Sequence, residues 1–588
     1  MLKSFKTLRE DFIENRWRVA IGLLALLIVD VLQLFIPRVV KYAIDDLTLG
    51  TATPLRLLLY GIEVLVLALG IGGFRYVWRY LLLGAARRME RALRDRFFLH
   101  LQTLSFSYFS QTRVGDLMAH ATNDIEAVRM SISLGLVFIV DTIILGVLTI
   151  CFMVYIHPLL TLYAVLPMPL ITVVSLVVSR KIHKRFESVQ KSFASLTERV
   201  RESIAGIRVV KAYVQEEPER EKLSRLSQDY LQGNIRVTRV WGMFFPSILF
   251  FASLSMAIVL YAGGRLTILQ SISTGDFVAF MSYLGLLAWP MMALGWAVNL
   301  IQRGAASMDR LNRIFAEVPE ISNAPHVLPL QTLKGRIEIK GLTYSPRNGG
   351  EPILKDIHLR MNEGMRMVVV GRTGSGKTTL CNLLTRVLEP PQDSIFIEGV
   401  EIHGIPLKVL RKSVGYVPQE TFLFSNTLWE NIAFGRLDAT DEEIADAARL
   451  AQIYDEIAGF PEGMNTVIGE KGITLSGGQR QRVAIARAIL MKPSIFILDN
   501  ALSSVDLQTE ERILEGLERF LKGRTCLLVT HRIAPLRRAD RITVLEEGSV
   551  VEQGDHGTLL SKGGTYADLY WREQLEEELE REGANRVS

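Results

Sequence analysis

The sequence predicts a multi-domain chain, an all-α transmembrane half with six helices followed by an α/β nucleotide-binding half. Three observations carry this reading. Six apolar runs in the first 303 residues are each long enough for a bilayer, which takes about 20 residues. Beyond Arg303 the composition turns polar, and from Arg336 short β-branched stretches alternate with helical patterns. Within that second half, the apolar string Met367–Val370 runs into the glycine-rich loop Gly371–Thr378 and then a helical pattern. At 588 residues more than one domain is expected, because single cores rarely grow past roughly 300 residues.

The apolar runs are Val19–Ile36, Leu57–Phe74, Leu134–Ile156, Leu159–Val178, Phe244–Leu266 and Phe277–Ile301. Short connections join them in pairs, and two long basic connections separate the pairs. The first connection carries Arg87, Arg88, Arg91, Arg94 and Arg96, and the second Arg180, Lys181, Lys184, Arg185, Arg199, Arg201 and Arg208. Basic loops stay on the cytoplasmic side, so both connections and the N-terminus are expected there. Both keep a helical apolar period. The membrane helices should therefore extend past the bilayer and end in short turns near Gly115–His120 and Val209–Gln215.

Residues 1–16 read as an amphipathic helix on the membrane surface, with Leu2, Phe5, Leu8 and Phe12 apolar. Acidic Glu10, Asp11 and Glu14 argue against a transit peptide. Asp30, Glu63 and Asp141, with Gln33, fall inside apolar runs; they mark either a polar pathway or helix–helix packing. Trp289-Pro290 should kink the sixth run. Residues 17–303 are thus the transmembrane domain and 304–335, punctuated by Pro319, Pro325 and Pro329, a linker. The soluble domain spans 336–575, and 576–588 form a charged tail.

Charged residues are 22% against 49% hydrophobic, and the net charge of +5 is small, which excludes nucleic acid as the obvious partner. Cys151, Cys381 and Cys526 lie far apart in apolar settings, with no metal or disulfide spacing, and read as buried reduced thiols.

Chemistry concentrates in the second half. Glycines at Gly371, Gly374 and Gly376 let the backbone close around an anion, with successive N–H groups pointing inward through Arg372, Thr373, Ser375 and Thr379. Lys377 can reach outer phosphates and the Thr378 hydroxyl can sit on Mg²⁺. A second apolar strand, Ser494–Asp499, ends in a carboxylate suited to the same Mg²⁺. Between the two lies L-S-G-G-Q, Leu475–Gln479, whose serine and glycines open a helix and make another anion-binding terminus.

With Gln419 in Y-V-P-Q, Ser503–Asp506 and His531 in the same order, the chain resembles the ATP-binding cassette exporters of half-transporter type, over nearly its whole length. The resemblance implies the type IV ABC exporter fold, ATP and Mg²⁺ as ligands, a multi-pass place in the inner or plasma membrane, and a hydrophobic small-molecule or lipid substrate. It also implies residue roles: Tyr344 stacking on adenine, Gln419 on Mg²⁺ and relaying the nucleotide state, and His531 on the γ-phosphate. Ser476, Gly477, Gly478 and Gln479 would face ATP held by a second half-transporter, Asp506 would cross between the sites, and Glu470 would touch the coupling helices.

One position departs from the family. The residue after Asp499 is Asn500, where the family carries a glutamate that activates water. An amide can hydrogen-bond to water but cannot take its proton. The sequence therefore predicts a site that binds ATP and hydrolyses it slowly, in a heterodimer whose partner supplies the faster site. The alternatives are a homodimeric lipid or drug exporter carrying a hydrolysis-trapping substitution, and an ATP-gated regulatory membrane protein.

Overall fold

The computed structural model describes residues 4–324, 327–346, 349–469 and 475–587. They fall into two compact units, Met1–Gln102 with Thr112–Glu317, and Thr103–Gln111 with Val318–Ser588.

The first unit is helical throughout. Long helical segments cover Arg16–Thr48, Pro54–Thr103, Val114–Ile156, Met168–Ala205, Glu216–Ile268 and Thr274–Phe315. Among the described residues, four of them are long and apolar enough to cross a membrane: Arg16–Thr48, Pro54–Thr103, Val114–Ile156 and Glu216–Ile268. The expected fourth and sixth spans overlap in part with the shorter apolar stretches Pro158–Leu170 and Thr274–Leu287. Helix Thr274–Phe315 starts on a capping box at Ser273, continues through Pro290 and runs beyond Arg303 to Phe315. Its Tyr283 donates to the carbonyl of Leu34 at 2.9 Å, tying the last long helix to the first.

Apolar packing explains why these helices stay together. Leu34, Met153, Leu160, Val259, Phe280 and Leu287, drawn from five segments, share one buried cluster. Preceding it, Ser4–Leu8 and Arg9–Glu14 are short helical turns, held to the long helices by the Asp11–Arg96 ion pair and the bond from Asn312 to the Ser4 carbonyl.

The second turn lies where expected: the helix Ile207–Ala212 sits between Gly206 and Gln215. The first does not. Breaks fall near Ser105 and Arg113, around the short helix Phe106–Gln111, and Gly115–His120 is helical. Arg113 takes an extended backbone (φ −70°, ψ 133°) and starts the next helix, so Gly115 lies inside its first turn. Nor is every cysteine buried: Cys381 and Cys526 are, but Cys151 is exposed on Leu136–Ile156.

The second unit holds two sheets. β1 (Ile337–Tyr344), β2 (Leu354–Met361), β4 (Ile395–Ile397) and β5 (Val400–Glu401) form an antiparallel sheet in the order β2-β1-β4-β5. β3 (Arg366–Val370), β6 (Val414–Val417), β7 (Ile495–Asp499), β8 (Thr525–Val529), β9 (Arg541–Glu546) and β10 (Ser549–Gly554) form the other, in the order β10-β9-β3-β8-β7-β6. All neighbouring pairs there are parallel except β10–β9. A parallel sheet needs both faces covered, and its strands read as continuous apolar runs. Alternation divides them: Val368, Val370, Phe496 and Leu498 enter the core that includes helix Gly477–Leu490, while Met367, Val369, Ile495 and Ile497 enter the core shared with the antiparallel sheet. The proline-marked stretch after Glu317 packs onto this unit, since Arg386 donates to the Ser322 carbonyl and Leu407 N–H to Asn323.

Candidate functional site at the ends of four parallel strands

In open parallel sheets, ligands bind beyond the carboxyl ends of the strands. Here four adjacent strands, β3, β8, β7 and β6, each lead at that end into a residue singled out in the sequence. β3 leads into Gly371–Thr379, β8 into His531, β7 ends on Asp499 followed by Asn500, and β6 leads to Gln419. Strand order, not sequence order, makes these neighbours.

The loop after β3 is shaped by glycine. At Gly371 (φ +153°) a Cβ would stand 2.1 Å from the carbonyl oxygen of Leu545; at Gly376 (φ +97°) it would meet Leu354 Cδ2 at 2.6 Å. At Gly371 the close atom is backbone and cannot give way, and at Gly376 the left-handed backbone strains any side chain. Helix Lys377–Leu384 starts directly on Gly376. Lys377 Nζ curls back over the loop, donating to the carbonyls of Gly371 (2.7 Å) and Arg372 (2.8 Å) and to Ser375 Oγ (3.2 Å). Burial lowers the Lys377 pKa, and the nearby Asp499 carboxylate opposes that shift. Arg372, Thr373 and Gly374 of the loop are exposed, as is Thr378 in the first turn of the helix. A cavity of about 370 Å³ flanks it, lined by Arg372, Thr373, His531, Tyr566 and Tyr570 among others.

Asp499 is 1% exposed, and neither of its oxygens makes a hydrogen bond of normal geometry. Around it stand the Thr378 and Tyr416 hydroxyls and the Lys377 ammonium; burial raises its pKa, and these three groups pull it back. Two orphaned, buried carboxylate oxygens beside a threonine hydroxyl fit a hard divalent cation with oxygen ligands. His531 is half-buried, and burial, with Lys377 second, holds its imidazole below the usual value. Gln419 is exposed.

Asn500 sits in the left-handed region (φ +51°), which asparagine tolerates better than most residues. Its N–H donates to the Val529 carbonyl at 2.8 Å, carrying the β7–β8 ladder one step further, next to the start of the His531 loop. Tyr344 ends β1 on the antiparallel sheet, partly buried, with its phenol pKa raised by burial.

Ser476 caps helix Gly477–Leu490: its Oγ accepts from Gln479 N–H (3.2 Å) while Gln479 Oε1 accepts from Ser476 N–H (2.8 Å). Among the described residues, no hydrogen bond joins Ser476–Gln479 to the Gly371–Thr379 loop; Gln479 Nε2 turns instead to Glu456 at 2.9 Å. Asp506 caps the helix Leu507–Leu521 through Thr509 N–H. Glu470 lies outside the described residues.

Sequence reading missed the ties between these pieces. Gln481 accepts from Ser504 N–H (3.0 Å) and donates to Ser503 Oγ (3.3 Å), clipping helix Gly477–Leu490 to the loop that follows Asn500. Arg482 binds Glu456 and the Gln452 carbonyl, both at 2.6 Å. Arg487, with Phe424 and Phe434 beside its guanidinium, donates to the carbonyls of Asn431 (2.8 Å) and Phe422 (3.1 Å); burial pushes it down to about 10. It thereby links the stretch after Gln419 to helix Gly477–Leu490. The partners of Gln481, Arg482 and Arg487 are distant in sequence and unreadable from it.

A phosphate-binding loop, a buried acidic strand end and a polar histidine on one edge of a parallel sheet define a nucleotide-binding domain of the P-loop class. Comparison with known proteins narrows this. Residues 19–291 match the model described as ABC transporter transmembrane region, and residues 354–503 the model described as ABC transporter. The probable multidrug resistance ABC transporter ATP-binding/permease protein YheI of Bacillus subtilis (strain 168) is 37% identical over 568 residues, 96% of this chain and 97% of that one. The multidrug resistance-like ATP-binding protein MdlA of Escherichia coli (strain K12) is 34% identical over 577 residues, 98% of each. A bacterial Atm1-family ABC exporter solved with ATP bound superposes with a TM-score of 0.79 at 26% identity, covering 95% of this chain and 98% of that chain. The chain belongs to the ABC transporter family, with the transmembrane region and the cassette fused in one polypeptide. It is a membrane-embedded transport ATPase of the exporter type.

Proposed function

We propose that this chain is one half of a heterodimeric exporter of hydrophobic small molecules, and that its own ATP site serves to hold nucleotide more than to hydrolyse it. The observation that carries the reading is Asn500, directly after Asp499 at the end of β7. In this reading the amides of Gly371–Thr379 and Lys377 hold the phosphates, and Tyr344 stacks on adenine. Thr378, Gln419 and Asp499 hold Mg²⁺, which when bound neutralises charge on the outer phosphates. His531, neutral near pH 7, can donate one N–H to the γ-phosphate while its other nitrogen accepts.

The Asn500 amide can orient a water molecule but cannot accept its proton, and losing a general base lowers rate by about 10² to 10⁴. ATP binding requires none of this chemistry, so affinity is kept while turnover falls. Ser476–Gln479, intact and, among the described residues, without a hydrogen bond to the chain's own loop, complete the partner's site. Two cassettes then close on two nucleotides, and closure is a population shift set by ATP's preference for the closed dimer. Orientation follows the basic connections: the N-terminus and the cassette face the cytoplasm. Relatives named for multidrug resistance support drug-like cargo over a peptide.

Co-purification tests the pairing. The tagged chain, expressed from its own host, should retain a second, different half-transporter at equal stoichiometry. Recovery of the chain with only itself would refute the heterodimer and leave the homodimeric, hydrolysis-trapped reading.

A further inference from the structure

Within the helical unit, a cavity of about 330 Å³ opens between the start of segment Arg16–Thr48 and the middle of Pro54–Thr103. Four exposed arginines line it, Arg18, Arg79, Arg87 and Arg88, and no acidic side chain is among its walls. Among the described residues, Arg87 alone of the four has a carboxylate partner, Glu90 at 2.9 Å, and Glu90 also meets Arg94 and Arg129. Arg18 reaches the Asn15 amide oxygen at 3.3 Å, and Arg79 lies over the Trp78 ring at 5.6 Å. Further along the same basic connection the arginines are matched: Arg91 with Asp95, Arg94 with Glu90 and Arg96 with Asp11. Arg79 also borders a separate cavity that holds Asp30 and Asp141, so its charge is shared. Arg18 and Arg88 are left, among the described residues, without a counter-charge.

Position and shape say what could meet that charge. Arg18 immediately precedes the apolar run Val19–Ile36. Trp17 beside it and Tyr80 in the cavity wall are largely exposed, and Tyr76 stacks on Tyr80. Exposed tryptophan and tyrosine at the end of a span mark the level of lipid headgroups. One turn deeper, Gly22 admits the second segment, since a Cβ there would stand 2.6 Å from Leu82 Cγ. Leu82 belongs to the wide π-type turn Arg79–Leu83, a local distortion frequent at functional sites, and four of its five residues line the cavity. The walls are thus cationic with apolar Leu81 and Leu83 among them, and Ile21 and Leu24 lie exposed further along the first segment. A cationic head region continuous with apolar surface fits an amphiphile with an anionic head.

We propose that this cavity holds the phosphate of one anionic phospholipid of the cytoplasmic leaflet as a resident lipid. The choice of leaflet rests on the orientation read above from the basic connections. Arg18 and Arg88 donate to the phosphate oxygens, for which the guanidinium fork is suited. The acyl chains run along Leu81, Leu83, Ile21 and Leu24, so the lipid bridges the first long segment to the second. Basic pockets at the cytoplasmic ends of membrane helices recognise anionic headgroups in this way. A zwitterionic lipid carries its own cation beside the phosphate and loses this attraction, and free phosphate lacks the apolar part that the walls accommodate.

The test uses the full-length protein, with whatever partner it retains, in a neutral detergent. It is titrated with phosphatidylglycerol or with phosphatidylcholine of the same acyl chains, and bound lipids are counted by native mass spectrometry. Wild type should bind phosphatidylglycerol the more tightly. Arg18→Gln/Arg88→Gln should weaken phosphatidylglycerol about 10- to 30-fold, the loss of two cations at headgroup level, and leave phosphatidylcholine unchanged. Arg91→Gln/Arg225→Gln removes the same charge from two exposed arginines outside the cavity and should leave both affinities at the wild-type value. No preference in wild type, an equal loss in the two double variants, or displacement of the lipid by inorganic phosphate would overturn the site. Orientation is read separately. Arg91→Cys, with the exposed Cys151 replaced by serine, should react with an impermeant maleimide in inside-out vesicles and not in intact cells. Labelling from outside would refute the cytoplasmic placement and leave the lipid preference standing, because the detergent titration has no sidedness.

Discussion

Replacing Gly478 by alanine isolates the part of this chain assigned to its partner's nucleotide. A Cβ at that position would stand 2.8 Å from the carbonyl oxygen of Ser504 and 3.6 Å from the Val505 Cα. The close neighbour is backbone, so no flexible side chain can move aside. Overpacking of this kind costs about 1–3 kcal/mol. Relief means moving the N-terminus of helix Gly477–Leu490 away from the Ser504 loop. That motion stretches the bond from Ser504 N–H to Gln481, 3.0 Å long and worth about 1 kcal/mol. A misplacement near 1 Å at a reacting site lowers rate about a hundredfold. In the assembled transporter, Gly478→Ala should therefore cut ATPase activity about 10- to 100-fold. Binding of a fluorescent ATP analogue to this chain's own loop should stay at its wild-type affinity. Nanodisc ATPase assays and fluorescence titration read the two effects separately. Full ATPase activity from a correctly assembled Gly478→Ala transporter would refute the assignment of Ser476–Gln479 to the partner's site. So would selective loss of binding to Gly371–Thr379.

Two further perturbations separate binding from fold. Lys377→Ala removes an ammonium whose described bonds are all to its own loop, so ATP affinity should fall about 10- to 100-fold by titration while the melting temperature of the apo protein changes little. His531 has a folded pKa below its ordinary 6.5, because burial disfavours the charged ring. Its contribution to stability is fully present above that ordinary value and is lost as pH falls through the lowered one. His531→Gln should flatten this part of the acid limb in denaturation curves taken between pH 7 and 5, and an unchanged acid limb would count against it.

Much of the fold and of the site was legible in the sequence because the signals are local. A strand, three glycines, a lysine and a threonine at fixed offsets dictate the loop at Gly371–Thr378 whatever surrounds it. The apolar runs announce helices by length alone. What could not be read depends on contacts between distant segments. The order β3-β8-β7-β6 sets His531, Asn500 and Gln419 in a row, and nothing local encodes that order. Nothing local marks Gln481, yet it holds the loop after Asn500. Asp30 and Asp141 read as either a polar pathway or helix–helix packing, and only folding places them in one cavity. The first turn lies ahead of Gly115–His120 because Arg113 makes the break and the helix restarts before the glycine. Segments with wide, π-type turns, at Arg79–Leu83, His120–Asp124, Ser131–Gly135 and Val259–Gly263, leave no mark in the apolar period.

The central claim is that Asn500 splits ATP binding from ATP hydrolysis at this chain's site. Single-turnover hydrolysis at that site tests it most directly, with the lysine of the partner's own phosphate-binding loop replaced so that only this loop is loaded. Wild type should bind ATP and release phosphate slowly. Asn500→Glu should raise the rate about 10² to 10⁴ at unchanged ATP affinity, less whatever strain the left-handed backbone imposes on glutamate. Rapid hydrolysis by the Asn500 site itself, or no gain from glutamate despite full ATP occupancy, would contradict the account.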